Sequence, residues 1–234
     1  MARRVARLTL DTLADLPEHA RGCLRWELDP VSRQRLTDPD SAIAEKEAWL
    51  SHVLLEWGSC GRVVYVDDRP AGFVLYAPPA YLAGSASMPT APVSDDAVQV
   101  AAAAVFEEYA GSGLGRLLMQ EVVKDLVQRG GIRAVEAFGS TRVRRPRARR
   151  ARAGAEHECV RPAEFLRRVG FKTQRPHPRN PRMRLELKSV VTWREEVEAA
   201  LERLLGVVRP VRVPRPVVGR GAAVGVSRGS RPAP

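Results

Sequence analysis

The sequence predicts an α/β (α+β) fold: a mixed central sheet of about six to seven strands flanked by helices, then a C-terminal helix and a disordered tail. Three observations predict it. Apolar residues recur with period two in some stretches and about 3.6 in others, and these stretches intermingle over residues 4–205. A strand of small residues at 97–106 passes through a glycine-rich turn straight into an amphipathic helix. Residues 209–234 hold five prolines, four glycines and no acid, a composition that cannot bury a core.

Residues 4–10 alternate and read as a short strand. Asp11-Thr12 opens a helical stripe (Leu13, Leu16, Ala20, Leu24, Leu28) that Pro17 interrupts. Residues 29–40 are polar and contain proline, so they read as loop. Asp40-Ser41 can cap a helix over 41–57 that Gly58 ends. Strands at 61–66 and 71–77 then flank the turn Asp67-Asp68-Arg69-Pro70 and read as an antiparallel hairpin. Residues 78–96 form a loop, and 97–106 a central strand whose small side chains permit close approach.

The following helix runs to Gln128, with Leu114, Leu117, Leu118, Val122 and Leu126 on one side. A strand at 132–138 leads to an arginine-rich insertion at about 140–158. Pro162 opens a helix that Gly170 closes. Strands at 171–173 and 183–187 flank the basic turn Arg175-Pro-His-Pro-Arg-Asn-Pro-Arg182. A last amphipathic helix covers 189–205. Residues 1–206 thus read as one domain and 207–234 as a basic, disordered Pro/Gly-rich tail. Trp26, Trp49, Trp57 and Trp193 all fall in predicted helices and read as core.

Composition narrows the function classes. The net charge is +11, and it is uneven. Residues 142–152 carry seven arginines and 209–234 carry six, with no acid in either, which leaves the rest of the chain at −2. Flexible arginine tracts can neutralise nucleic-acid phosphates, but neither tract carries aromatic residues or a recognition motif. Only four of the 38 cationic residues are lysines, so a GC-rich genome explains part of the excess equally well. No run of 18 apolar residues argues for a membrane span. Three cysteines and four scattered histidines give neither a disulfide framework nor metal-ligand spacing. The expectation is a cytoplasmic protein with reduced thiols, no metal and no membrane partner; oligomeric state is not readable.

The densest chemical signal is Ala110-Gly-Ser-Gly-Leu-Gly115 between strand and helix. Glycines let the backbone turn tightly and expose N–H groups, and a helix N-terminus adds partial positive charge, so the turn is an anion cradle fit for a pyrophosphate. It is neither the dinucleotide GxGxxG nor a Walker A loop. The segment Val105-Phe-Glu-Glu-Tyr-Ala-Gly-Ser-Gly-Leu-Gly-Arg-Leu-Leu-Met119, the element order around it and the later Phe165-Leu-Arg-Arg-Val-Gly-Phe171 resemble the GNAT superfamily of acetyl-CoA-dependent N-acetyltransferases over residues 4–188. Phe171-Lys-Thr-Gln-Arg-Pro-His-Pro and the 193–205 helix give it an actinobacterial flavour.

The resemblance implies acetyl-CoA as co-substrate and a primary amine as acceptor, with no metal. It implies that the backbones of Gly111, Ser112, Gly113, Leu114, Gly115 and Arg116 bind the pyrophosphate, and that the pantetheine arm runs near Val105 and Phe106. Three positions depart from the family pattern: Ala110 replaces the Gln/Arg opening the turn, Leu166 replaces a Tyr that protonates the leaving thiolate, and Cys159 replaces an Asn. A lysine-like amine has a pKa near 10.4, so transfer at neutral pH needs a base. Glu107 and Glu108 at the end of the central strand and Glu136 on the neighbouring strand are the candidates; a solvated or salt-bridged glutamate is the other reading of each. Cys159 lacks a recognisable base partner, so direct attack in a ternary complex is expected over an acyl-cysteine. The alternative is a catalytically weak acyl-CoA-binding, partner-binding or nucleic-acid-binding module. Arg175, Arg179 and Arg182, with His177, can attract an anionic acceptor or face solvent.

Overall fold

The computed structural model of the chain describes residues 2–142 and 160–188. The predicted final helix, the tail and most of the arginine-rich insertion, with His157 and Cys159, lie outside them. The sheet builds outward from the predicted hairpin. β2 (Gly61–Val66) and β3 (Arg69–Ala77) meet at Asp67-Asp68, both at positive φ (47° and 61°). That is the twist a two-residue hairpin demands, and Asp tolerates it better than most residues. β1 (Arg3–Arg7) pairs antiparallel with β2, and β4 (Ala97–Val105) antiparallel with β3. β5 (Ala134–Ser140) lies parallel to β4, and β8 (Arg182–Glu186) antiparallel to β5. β7 (Lys172–Arg175) forms the far edge, giving the order β1-β2-β3-β4-β5-β8-β7. β6 (Arg161–Pro162) pairs with the end of β5 off this path. The seven-strand path is the mixed sheet expected from the sequence.

Alternation splits the core between two faces. Val64, Val74, Val98 and Val135 meet Leu118, Val122 and Leu126 of α5 (Leu114–Arg129), with Leu166 of α6 (Ala163–Arg168). Val63, Phe73, Leu75 and Phe138 meet the N-terminal helices through Leu13, Leu50 and Val53. Those helices are α1 (Leu10–Ala14), α2 (Glu18–Arg21), α3 (Pro30–Gln34) and α4 (Pro39–Glu56). Pro17 does break the first helical stripe: α1 ends at Ala14, and α2 restarts directly after Pro17. Residues 29–40 are more ordered than a loop. Asp29 accepts from the N–H groups of Val31 and Ser32 (2.9 and 3.1 Å), and Pro30 takes the first helical position, so a short helix forms. The α4 cap is Asp38 rather than Asp40, because Pro39 is preset for the first turn. Trp26 lies in a turn, not a helix, and stacks on Phe138 at 5.5 Å. Cys60 is a buried free thiol pushed up to about 12 by burial. Among the described residues no helix is long and apolar enough to cross a membrane, and no cluster of His, Cys, Asp or Glu could hold a metal.

Two polar clasps hold the helices, one to the 23–27 turn and one to the sheet. Lys46 and Glu27, both buried, form an ion pair, and Lys46 Nζ also donates to the Cys23 carbonyl at 2.8 Å. Asp125 of α5 accepts from Arg62 Nη2 (2.7 Å), Tyr76 Oη (2.8 Å) and Arg129 Nε (2.9 Å). Arg129 reaches on to the Trp57 carbonyl and stacks on its ring at 4.1 Å. Burial alone would raise the Asp125 carboxyl, but the Tyr76 and Arg129 hydrogen bonds and the Arg62 charge hold it below its ordinary 3.8. A carboxyl depressed on folding stabilises the fold above its unfolded pKa, and that stability is lost as pH falls through the folded value. Asp125→Asn should therefore lower stability by roughly 2 kcal/mol at pH 7. The gap from wild type should narrow as pH falls from about 4 through the lowered folded-state value, and close only below it, where the Asp125 carboxyl is neutral in the folded protein too; urea unfolding across pH 2–7 reads both. A gap independent of pH would contradict the assignment.

Candidate functional site

β4 and β5 begin side by side and then part. Their pairing covers only Ala97–Gln99 against Ala134–Glu136, although β4 continues to Val105 and β5 to Ser140. Beyond Gln99 the β5-facing edge of β4 has no strand partner among the described residues, so backbone donors and acceptors line a wedge. A bulge helps to bend β4: Leu75 pairs with Ala102 and Tyr76 with Val100, leaving Ala101 unopposed. Ala101–Ala104 put only small side chains on this stretch of β4.

At the wide end β4 passes into a single 3-10 turn, Glu107–Tyr109, and then the glycine turn. Gly111 and Gly113 sit at φ 78° and 83°, in the left-handed region that L side chains avoid. A Cβ at either would meet nothing within 4 Å, so the space above them is open. Gly113 is the N-cap of the 16-residue α5, with no side-chain cap. The first-turn N–H groups of Leu114 and Gly115 therefore have no preceding carbonyl within the helix to bond. Open space, uncapped donors and the helix dipole fit an anionic diphosphate group. Gly115 serves packing instead: a Cβ there would come within 3.0 Å of the Phe165 ring, fixing α6 against the turn. Val105 borders the same ring edge, 3.7 Å from that Cβ position, and Phe106 on the opposite face leans on Phe73. Ser112 and Arg116 are exposed, and Leu114 is buried under the turn. All eight residues expected to contact a cofactor thus lie along one stretch of backbone at the wide end of the wedge.

The three candidate carboxylates are not brought together. Glu107 and Glu108 are exposed just past the C-terminal end of β4. Glu136 sits on the rung of Gln99, eight residues back from Glu107, or roughly 26 Å along an extended strand. Glu136 is 0% exposed, and its oxygens are taken. Ser94 donates through Oγ (2.7 Å) and N–H (3.2 Å), Arg184 Nη1 donates at 3.1 Å, and Arg182 Nε lies at 3.3 Å. Arg184 also forks onto Asp96 at 2.8 and 2.9 Å. The hydrogen bond from Arg184 outweighs burial and holds the Asp96 carboxyl below its ordinary range. This network pins β8 and the 78–96 loop to β5.

Sequence reasoning did not single out Ser94, Asp96, Gln99 or Arg184. The signal was there in part: in Arg182-Met-Arg-Leu-Glu186 the period of two sends both arginines to the face opposite Met183 and Leu185. Leu166 is 0% exposed and packs 3.5 Å from where a Gly139 Cβ would sit, so that position holds core and not a proton donor. Ala110 is exposed, and its N–H bonds the Glu107 carbonyl at 3.1 Å. His177 Nδ1 accepts from the N–H groups of Arg179 and Asn180, which folds the basic turn. A cavity of about 500 Å³ opens between α2, α3 and α4, bordered by Glu18, His19, Arg25 and Arg33; no candidate site residue lines it.

A family model described as the acetyltransferase (GNAT) family matches residues 20–151. Similar solved structures include the PaiA N-acetyltransferase from Thermoplasma acidophilum in complex with coenzyme A, at 16% identity and TM-score 0.46, covering 80% of this chain and 99% of that one. They also include the loading GNATL domain of CurA from Lyngbya majuscula (15%, TM-score 0.48, covering 81% and 100%) and an N-acetyltransferase from Staphylococcus aureus Mu50 (12%, TM-score 0.49, covering 80% and 99%). No curated protein sequence matches this chain significantly.

Proposed function

The chain belongs to the acetyltransferase (GNAT) family, and from that premise we propose that it moves an acetyl group from acetyl-CoA to a primary amine by direct attack in a ternary complex. One observation carries the reading: β4 splays from β5 and leads through a single 3-10 turn into an uncapped glycine turn and helix. In this reading the N–H groups of the Gly111–Arg116 turn that have no backbone acceptor, Leu114 and Gly115 among them, hold the pyrophosphate, while those of Ser112 and Arg116 bond the Tyr109 and Gly113 carbonyls; the β4 edge by Val105 and Phe106 takes the pantetheine amides. A backbone N–H on the unpaired β5-facing edge of β4 beyond Gln99 is assigned to the thioester oxygen.

The neutral amine nitrogen attacks the carbonyl carbon. An N–C bond forms, the C–S bond breaks, and the amine proton passes to a base. Of the three carboxylates, Glu107 and Glu108 are the ones that solvent reaches, so they are assigned this role, acting through water. Glu136 is assigned to structure. The thiolate takes its proton from solvent, since Leu166 has none to give.

The test is amine-dependent thiol release from acetyl-CoA over a panel of primary amines. Glu107→Gln/Glu108→Gln should lower kcat roughly a hundredfold with an unchanged melting temperature. Full turnover in that variant would remove both residues from the mechanism. A second reading, a family member that binds acyl-CoA without efficient turnover, draws support from the buried Leu166; it predicts cofactor binding with no amine-dependent release.

A further inference from the structure

The β7–β8 hairpin carries positive charge that the fold does not compensate. Antiparallel register places Lys172 opposite Arg184 and Arg175 opposite Arg182, so like charges share rungs and a face, an arrangement that weakens a sheet. Arg182 and Arg184 are neutralised by Glu136, Asp96 and Glu186. Lys172, Arg175 and Arg179 are exposed and have no acidic partner among the described residues. The Arg175 side chain donates instead to the Ala91 carbonyl at 3.0 Å.

The arm that presents them is stiff. Thr141 N–H donates to the Arg179 carbonyl (3.0 Å), Asn180 Nδ2 to the Gly139 carbonyl (3.2 Å) and Thr90 Oγ1 to the Asn180 carbonyl (3.0 Å). With the His177 bonds inside the turn, these fix the hairpin to the end of β5. Lysine and arginine on an edge strand also discourage strand pairing between molecules. That explains Lys172 and Arg175 but not Arg179 in the turn.

We propose that this face is a docking surface for the phosphate backbone of double-helical nucleic acid. Its exposed residues, Lys172-Thr-Gln-Arg-Pro176 and Arg179, include no large apolar side chain. A protein or peptide partner is held by buried aromatic and aliphatic anchors, and a single strand by stacking on aromatic rings. Neither anchor is present, whereas a duplex offers closely and regularly spaced charges to rigid cations. Binding is independent of base sequence and steep in salt. It does not depend on acetyl transfer.

Fluorescence anisotropy of the full chain with a labelled 20-base-pair DNA duplex, a 20-nucleotide single strand and poly-L-glutamate tests this between about 50 and 200 mM salt. The variant K172E/R175E/R179E, all exposed positions, should keep its circular dichroism and acetyl-CoA binding. Its duplex affinity at low salt should fall at least tenfold, and its log–log salt slope should drop by about 2.7 if each cation meets one phosphate. Loss of a slope that large equals a roughly fortyfold smaller salt effect over that range. Unchanged duplex binding in the variant, no binding by wild type at the lowest salt, or tighter binding of the single strand or of polyglutamate would each overturn the proposal.

Discussion

Glu136→Gln unfolds at a temperature about 10 °C below wild type, whatever its effect on turnover. The carboxylate is fully buried and answers two arginines, Arg182 and Arg184, on the same face of β8. Glutamine keeps the shape and one acceptor, but it leaves the arginines facing each other over a neutral group. Removing one partner of a buried ion pair costs about 3–5 kcal/mol, and the isostere puts this case near 3. For a domain of this size each kcal/mol moves the midpoint by about 2–4 °C. Because the pair is shielded from solvent, 0.5 M salt should recover little of the loss. The structural assignment also separates Glu136 from Glu107 and Glu108, whose glutamine variants should melt with wild type. Differential scanning calorimetry of the three single variants checks this; an unshifted Glu136→Gln would return that residue to the list of candidate bases.

Gly111→Ala/Gly113→Ala loses acetyl-CoA before it loses its fold. Each methyl group enters open space, so no clash arises, but each forces an L side chain into the left-handed region at about 1–2 kcal/mol. The backbone can relax that strain only by turning its N–H groups away from the cradle. A hydrogen bond to a charged group is worth about 1.5–3 kcal/mol, so the pair should lower affinity roughly a hundredfold. Gly115→Val acts differently: its side chain meets Phe165 within 3.0 Å at the Cβ already, so it shifts α6 and lowers stability together with binding. Comparing melting temperature with affinity across the two variants distinguishes a ligand-facing glycine from a packing glycine.

What the sequence disclosed and what it hid follow one physical line. Period-two and period-3.6 patterns are local, so β2, β3, β4, α5 and β5 emerged close to their true bounds. The glycine turn was legible because positive φ at Gly111 and Gly113 is a property of single residues. The short helix at Pro30 was hidden, since its cap and its proline read equally well as loop. The partners of Glu136 were hidden because Ser94, Arg182 and Arg184 lie 42 to 48 residues away and meet it only once the loop before β4 and strand β8 are folded against β5. A glutamate in a strand reads the same whether it faces substrate or two arginines. The splay of β4 from β5 could be inferred from family resemblance alone, because register is not written in either strand.

The splayed strands and the glycine turn are assigned together as an acetyl-CoA site. Isothermal titration of the purified chain and of Gly111→Ala/Gly113→Ala with acetyl-CoA, CoA and dephospho-CoA tests it most directly. Saturable one-to-one binding of acetyl-CoA and CoA by the wild-type chain is expected, weakened roughly a hundredfold in a variant that is still folded by circular dichroism. No saturable binding by the wild type, or equal binding by both proteins, would contradict it.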